Sequence, residues 1–328
     1  MDDLVGQLKA LAEPTRLRIA SLLARGELTV SELVQVLGQS QPRVSRHLKL
    51  LSDAHLVERL PEGAYVFYRL VAGGPGHRLA GVIGELAPPD DPVLKRDLDR
   101  LETVKTARAA AAEAYFQRAA EDWDRIRALH LSEDEVEAAM RDAAGSGPFE
   151  LMIDVGVGTG RILEVFADRV GEGIGVDVNH AMLNVARLNL ERAGLTGASV
   201  RKADVSALPF DDQTADLVTV HQVLHYLDDP AIAIAECARV LKPGGVLLIA
   251  DFAPHQLEFL KTEHAHRRLG FSDQEITDWV ESAGLELRRR ASLHPEKPEN
   301  HLTVKIWAAR RAPAHAGAKR ARSREKSV

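Results

Sequence analysis

The sequence predicts an α/β protein: a small helical head closed by a β-hairpin, a helical connector, and a larger body built as a doubly wound sheet. Three observations carry this. The stretch Leu151-Met152-Ile153-Asp154-Val155-Gly156-Val157-Gly158-Thr159-Gly160 is an apolar run that ends in an acid and breaks into alternating glycines. That pattern reads as a buried strand turning sharply into a helix. Beyond it, strand-length apolar runs alternate with helical patterns, the mark of a parallel sheet covered by helices. Ahead of it, residues 4–70 read as short helices followed by two alternating strands.

Length and composition agree with two domains. At 328 residues and 45% hydrophobic content the chain has material for two buried cores. No apolar run approaches the ~20 residues of a membrane span, and no basic leader with an apolar centre opens the sequence. A cytoplasmic protein with no membrane partner is expected. The single Cys237 excludes an internal disulfide framework and any multi-thiolate metal site. The net charge of -6 is unevenly spread: from Arg310 onward seven Lys or Arg face one acid, Glu325, so the tail carries +6 and the remainder -12. The tail, residues 311–328, is expected to be disordered; it either touches DNA phosphates without sequence preference or merely solubilises the terminus.

In the head, Leu4, Leu8 and Leu11 mark one helix, and residues 14–24 a second with Pro14 in its first turn. Gly26 ends it. Thr29 and Glu32 have capping-box spacing for a third helix that Gly38 stops. The fourth, residues 41–54, has Ser40 as candidate N-cap, and Val44, Leu48 and Leu51 share one face. Its other side carries Ser45, Arg46 and Lys49, with Gln41 and Arg43 in the exposed first turn. Two helices so spaced fit a helix-turn-helix whose second helix enters the major groove of DNA, where Arg and Gln read base edges and Lys49 suits phosphate. Residues 56–60 and 64–70, around Pro61-Glu62-Gly63, are the hairpin of a winged helix.

In Leu11-Ala12-Glu13-Pro14-Thr15-Arg16-Leu17-Arg18-Ile19 and Ser40-Gln41-Pro42-Arg43-Val44-Ser45-Arg46-His47-Leu48-Lys49-Leu50-Leu51 the head resembles the ArsR-type winged-helix repressors. The resemblance implies a double-stranded DNA operator as partner and a homodimer that binds two half-sites. Many members of that family sense metals through cysteines and histidines; here the head has no Cys, and His47 and His55 stand isolated, so metal sensing is not expected.

Gly73-Gly74-Pro75-Gly76 and Pro88-Pro89-Asp90-Asp91-Pro92 interrupt the pattern, with room for a helix over 77–86 that the resemblance assigns to a dimer interface. Residues 93–129 lack Gly and Pro and read as one long helix. Tyr115, Phe116 and Trp123 on it either pack on the next domain or cover its ligand.

In the body, strands are expected at 151–155, 174–178, 199–203, 217–221 and 246–251, with helices at 162–168, 181–193 and 231–241. Ligands of such a sheet bind at the carboxyl ends of its strands. Four features converge there. The glycine turn with Gly156, Gly158 and Gly160 lets backbone lie against a ligand. Asp177 closes the second strand, where a carboxylate accepts hydrogen bonds from both hydroxyls of a ribose. Asp204 follows the third, placed to meet an adenine amino group, and His221 ends the fourth. A dinucleotide fingerprint needs G-x-G-x-x-G, but Gly160 falls one residue early and Arg161 occupies the third-glycine position, which disfavours NAD.

The segment from Asp154 to Gly160 resembles instead the D-x-G-x-G-x-G motif of class I S-adenosylmethionine-dependent methyltransferases. So do Gly175-Val176-Asp177, Ala203-Asp204-Val205 with Leu208-Pro209-Phe210, and Leu241-Lys242-Pro243-Gly244-Gly245. The resemblance implies that the glycine turn approaches the amino-acid part of the cofactor, that Asp177 holds the ribose and that Asp204 meets the adenine. It also implies a mostly parallel sheet with an antiparallel last strand. Beyond residue 252 a helix is expected over 272–283, with Ser272 and Glu275 at capping-box spacing, then strands at 286–292 and 301–309. Ahead of that helix, the insertion over 253–271 holds His255, Glu258, Glu263, His264 and His266, which with His221 and His225 either line a substrate pocket or stand scattered and partly exposed; a metal is not expected.

The expected division is a winged-helix domain at 1–72, a connector and dimerisation region at 73–144, a class I methyltransferase-type domain at 145–310 and the tail at 311–328. Methyl transfer from a sulfonium is driven largely by proximity, so no catalytic residue is assigned from the sequence. Two functions follow. The architecture resembles ArsR-like regulators whose methyltransferase-type domain responds to S-adenosylhomocysteine, which implies a transcriptional regulator with S-adenosylmethionine or S-adenosylhomocysteine as effector. The other is an active small-molecule methyltransferase that carries a regulatory DNA-binding domain.

Overall fold

The computed structural model describes residues 1–62, 65–71, 79, 82, 90–127, 133–264, 266–294 and 302–313, with backbone alone for residues 2, 62, 109, 111–127 and 263. The chain packs as two units. The first holds Met1–Ala119, Gly158–Gly160 and Asp177–Lys202; the second holds Ala120–Val157, Arg161–Val176 and Ala203–Val328.

The first unit begins with helices α1 (Asp2–Leu11) and α2 (Pro14–Leu23), the latter capped by the Glu13 carboxylate accepting from the Arg16 amide at 2.9 Å. A two-residue strand β1 (Leu28–Thr29) precedes α3 (Val30–Leu37), where Thr29 and Glu32 form the expected capping box and Gly38 takes the left-handed conformation at φ 64°. Helix α4 (Gln41–Asp53) follows, and strands β2 (Val57–Glu62) and β3 (Tyr65–Leu70) make the hairpin. Ser40 occupies the N-cap position of α4 but its side chain makes no capping bond, contrary to expectation. Pro42 in the first turn offers no N–H, and the Arg43 amide bonds the Ser40 carbonyl at 3.1 Å, so the donors a cap would serve are absent or taken. The hairpin also gains an unforeseen edge, since β1 pairs antiparallel with β3 in the order β1-β3-β2.

Ile19, Leu33, Val36, Val44, Leu48 and Leu51 are fully buried in the core of this unit, each contributing about 1.5–3 kcal/mol of burial. Helix α5 (Pro92–Arg127) adds Leu101 and Val104 to that core. It is tied down by Arg18 to Asp97 at 2.7 Å and Arg108 to Glu32 at 2.7 Å. The expected helix over 77–86 lies, apart from Leu79 and Val82, outside the described residues, as do the side chains of Tyr115, Phe116 and Trp123 and the tail from residue 314. Helix α8 (His180–Arg192) and strand β6 (Ala198–Lys202) also belong to this unit.

The second unit supplies helix α6 (Glu133–Ala144), strand β4 (Phe149–Val155), helix α7 (Arg161–Phe166), most of strand β5 (Val170–Asp177) and strand β7 (Ala215–His221). A 3-10 turn (Leu224–Tyr226), helix α9 (Pro230–Val240) and strand β8 (Leu241–Phe252) come next. Helices α10 (Phe259–Glu263) and α11 (Asp273–Ser282) and strands β9 (Leu285–Leu293) and β10 (Val304–Arg311) complete it. The seven-stranded sheet runs β6-β5-β4-β7-β8-β10-β9. Strands β5, β4, β7 and β8 are parallel, with Ile153 opposite Ile174 and Val218, and Val218 opposite Leu247. Strand β10 is antiparallel to both neighbours, as expected for the last strand. Because both faces are covered, the centres of these strands are mostly apolar: Ile153, Val155, Val218, Val220, Leu247 and Ile249 share one core with Ile234 and Cys237 of α9.

Candidate functional site

The glycine turn follows β4 as expected. Gly156, Gly158 and Gly160 all have positive φ, at 71°, 51° and 87°. A Cβ on Gly156 would stand 2.2 Å from Cγ2 of Val223, so the turn tolerates no side chain there and lies directly against the segment after β7. Asp154 is buried at the end of β4, and its Oδ1 accepts from the Thr219 hydroxyl on β7 at 2.6 Å. Arg161, which occupies the third-glycine position of a dinucleotide fingerprint, is engaged by Glu137 of α6 at 2.7 and 2.8 Å.

Asp177 ends β5 half-buried. Its Oδ2 accepts from the Gly158 amide at 3.1 Å and its Oδ1 from the Asn179 amide at 2.8 Å. Burial raises its pKa above the ordinary carboxylate value, against the lowering effect of those amides. Asn179 in turn caps α8, its Oδ1 accepting from the Ala181 amide at 2.9 Å. The acid thus braces the glycine turn and the start of α8 together. Asp204 stands exposed after β6 and bonds its own loop, accepting from the Ser206 hydroxyl at 2.7 Å and amide at 2.8 Å, which lower its pKa. His221 is half-buried at the end of β7.

Helix α8 is also the seat of the hairpin, a connection no sequence pattern announced. His180 at its start stacks on Tyr65 of β3, ring centroids 4.4 Å apart and planes 2° from parallel. Arg187, 5% exposed, lays its guanidinium 3.7 Å from the centre of the Phe67 ring and pairs with Glu27 at 3.1 Å. Arg69 of β3 donates to the hydroxyl of Ser199 on β6. Each of these contacts lies inside the first unit.

On α4, Val44, Leu48 and Leu51 are buried, whereas Gln41, Arg43, Ser45, Arg46 and Lys49 are all exposed, the two faces that the helical spacing predicts. His47 points to Glu13, Nδ1 to Oε2 at 3.5 Å.

A second cluster was only half legible. His225, 2% exposed in the 3-10 turn, holds its Nδ1 2.8 Å from Oδ1 of Asp251 at the end of β8. His266 stacks on it with centroids 4.1 Å apart, and Tyr226 and Phe252 flank the pair at 4.2 and 5.1 Å from His225. Histidines in this region stood out in the sequence; Asp251, which appeared only as a strand end, did not. The two come together because β7 and β8 are parallel neighbours. Among the described residues no three His, Cys, Asp or Glu are grouped to hold a metal ion. No described helix is long and apolar enough to cross a membrane. Cys237 is fully buried, and burial pushes its thiol up to about 12.

Residues 153–249 match the family described as methyltransferase domain, and residues 13–59 the family described as bacterial regulatory protein, arsR family. The ubiquinone/menaquinone biosynthesis C-methyltransferase UbiE of Vibrio vulnificus (strain YJ016) is 37% identical over 116 residues, covering 34% of this chain and 45% of that protein. The enzyme of the same name from Shewanella sp. (strain ANA-3) is 35% identical over 124 residues, 37% of this chain and 49% of the relative. The chain thus spans about half the length of these curated relatives. A solved S-adenosylmethionine-dependent methyltransferase from Aquifex aeolicus superposes with a TM-score of 0.44 at 23% identity, covering 56% of this chain and 92% of that one. Two segments of the chain are thus each similar to a known family: residues 13–59, which hold α2 to α4 and the start of the hairpin, to the arsR-family regulatory proteins, and residues 153–249, which hold the glycine turn and strands β5 to β7, to the methyltransferase domain.

Proposed function

We propose that the protein is an ArsR-type transcriptional regulator whose methyltransferase domain takes S-adenosylmethionine or S-adenosylhomocysteine as effector. The observation that carries this is the seat of the hairpin on α8: the helix that starts beside Asp177 is the one that Tyr65 and Phe67 of the wing pack against. An adenosyl ligand held at Asp177 therefore acts on the same short segment that anchors the wing. In this reading residues 1–72 read DNA, 73–144 connect and dimerise, and 145–310 bind the effector. Leu4, Val5 and Leu8, exposed on α1, supply an apolar stripe for a homodimer.

The residues fit the adenosyl group. A turn of three glycines at positive φ presents bare backbone, Asp177 supplies a carboxylate for two ribose hydroxyls, Asp204 follows the third strand for the adenine, and His221 ends the fourth. When bound as S-adenosylmethionine the group brings an electrophilic methyl; as S-adenosylhomocysteine it brings none. A sensor needs no chemistry, only unequal affinity for the two states of the head, and a coupling of about 1–3 kcal/mol, or about 5–150-fold, suffices. The relatives bear the names of methyltransferases, which keeps an active small-molecule methyltransferase with a regulatory DNA-binding domain as the second reading.

Operator binding measured by fluorescence anisotropy, with each adenosyl compound titrated separately, tests the proposal. At least one is expected to change DNA affinity about 5-fold or more. The Asp177→Ala variant is expected to lose ligand binding by calorimetry while its ligand-free operator affinity stays unchanged. Operator affinity indifferent to both saturating compounds would overturn the sensor reading.

A further inference from the structure

Two elements of the head have the shape to enter a groove of DNA, the helix α4 and the two-stranded ribbon of β2 and β3, and a major groove admits either. They differ in what each has left to offer a partner. Helix α4 carries Arg43, Arg46 and Lys49 against one acid, Asp53, and these three bases are exposed. Residues 57–70 carry two bases, Arg59 and Arg69, against two acids, Glu58 and Glu62, and the turn Pro61-Glu62-Gly63-Ala64 holds an acid and no base. A ribbon without net positive charge has little to offer a phosphate backbone.

The ribbon is also engaged on both of its faces. Paired residues of an antiparallel ladder point to the same side, and side chains alternate along each strand. Val57 pairs with Leu70, and both join the core of the head. The alternate pairs, Leu60 with Phe67 and Glu58 with Arg69, lie on the opposite side. In a free hairpin that side would face water, yet Leu60 is 8% and Phe67 2% exposed. Helices α8 and α5 and strand β6 cover it. The guanidinium of Arg187 stands 3.7 Å from the centre of the Phe67 ring and that of Arg108 6.0 Å, and the two are held by Glu27 at 3.1 Å and Glu32 at 2.7 Å. Arg69 bonds Glu58 and the Ser199 hydroxyl, and Arg201 of β6 stands 3.9 Å from Glu58. Freeing this face would strip largely buried charges of their partners, which is costly. All these residues belong to the first unit.

We propose that the ribbon of β2 and β3 is an internal docking element that stays on α8 and β6 when the head is bound to DNA, and that α4 alone meets the groove. This rests on the reading of the head as a DNA reader, and it specifies how an effector acts on that head. Because the ribbon does not leave α8, a ligand-driven shift of that helix passes to the ribbon. Through Val57 and Leu70 it then enters the core that seats Val44, Leu48 and Leu51 of α4. The recognition helix is re-aimed from behind, with no DNA contact made or lost by the ribbon.

The test uses the full chain carrying Glu58→Cys and Arg201→Cys, whose side chains meet across β2 and β6, and a short bismaleimide as crosslinker. Cys237 does not compete, since it is fully buried and its thiol, pushed up to about 12, stays protonated. Intact-mass spectrometry is expected to show near-complete crosslinking of the free protein. By anisotropy the linked protein is expected to bind operator within about 2-fold of the unlinked one. Arg59→Ala, at the exposed base of the ribbon, is expected to leave the slope of log affinity against log salt unchanged, where loss of a phosphate contact lowers it by about 1. Absence of crosslinking would overturn the docking. A loss of about 10-fold or more on linking, or a slope lowered by about 1 in Arg59→Ala, would overturn the assignment of the groove to α4 alone. Failure of the wild-type chain to bind any duplex would remove the DNA reading instead, while the crosslink yield still decides the docking.

Discussion

His266 sets the first expectation. Its ring is 3% exposed with His225, Asp251, His255 and His264 around it, and desolvation is the largest cause of its low pKa of about 3. In the unfolded chain a histidine protonates near 6.5, so below that pH the unfolded state binds a proton that the folded state refuses. The folded state therefore keeps its full stability above about pH 6.5 and loses it as the pH falls toward 3. Urea denaturation at pH 7.5 and pH 5.0 is expected to show a deficit on the order of 1–2 kcal/mol from this residue alone at the lower pH. The His266→Phe variant keeps a ring against His225 and should lose that part of the pH dependence. An identical acid loss in wild type and variant would refute the assignment.

At the scale of elements, α8 links the acid that ends β5 to the wing. The Tyr65–His180 stack is worth about 0.5–1.5 kcal/mol beyond burial, comparable to the coupling a sensor needs. Tyr65 is half exposed and outside the core of the head, so Tyr65→Ala should leave the fold standing. The variant is expected to bind S-adenosylhomocysteine and the ligand-free operator within about 2-fold of wild type. Its ligand-induced change in operator affinity should shrink several-fold, read by the same anisotropy titration. Full coupling in Tyr65→Ala would show that α8 does not carry the signal. None of this was legible in the sequence, because Tyr65, His180 and Arg187 belong to elements that periodicity assigns separately and only three-dimensional packing joins. What was legible rested on local rules. The capping box of Thr29 and Glu32, the buried face of α4 and the apolar strands β4 to β8 appear where spacing put them. Strand β1 is two residues long, the 3-10 turn three, and neither holds a full period of any pattern. Helix α6 escaped because its buried residues, Val136, Glu137, Met140 and Ala144, include an acid whose burial makes sense only once Arg161 is seen beside it. At the site the glycine turn and Asp177 were visible as residue types in order, whereas the His225–Asp251 pair depends on which strands are neighbours.

On the scale of the whole molecule, a net charge of -6 gives the chain no general attraction for DNA, so operator affinity has to come from a local patch. Helix α4 offers one: Arg43, Arg46 and Lys49 all lie on its exposed side, opposite Val44, Leu48 and Leu51. Arg46 sits mid-face with Ser45, where a guanidinium can meet the two acceptors on a guanine edge, a contact worth about 1–3 kcal/mol of discrimination. Lys49, a turn further on, meets phosphate as a point charge and carries no sequence information. The two substitutions should therefore fail differently. Arg46→Ala is expected to weaken operator binding about 10-fold or more while binding to unrelated DNA changes little. Lys49→Ala should weaken both alike and reduce the slope of log affinity against log salt by about 1. Neither should alter calorimetric affinity for S-adenosylhomocysteine, since α4 makes no part of the glycine turn or of the Asp177 network. Anisotropy across a salt series on operator and scrambled duplexes distinguishes the roles. Equal losses on both duplexes for Arg46→Ala would reduce α4 to a non-specific basic face and move sequence reading to another part of the chain.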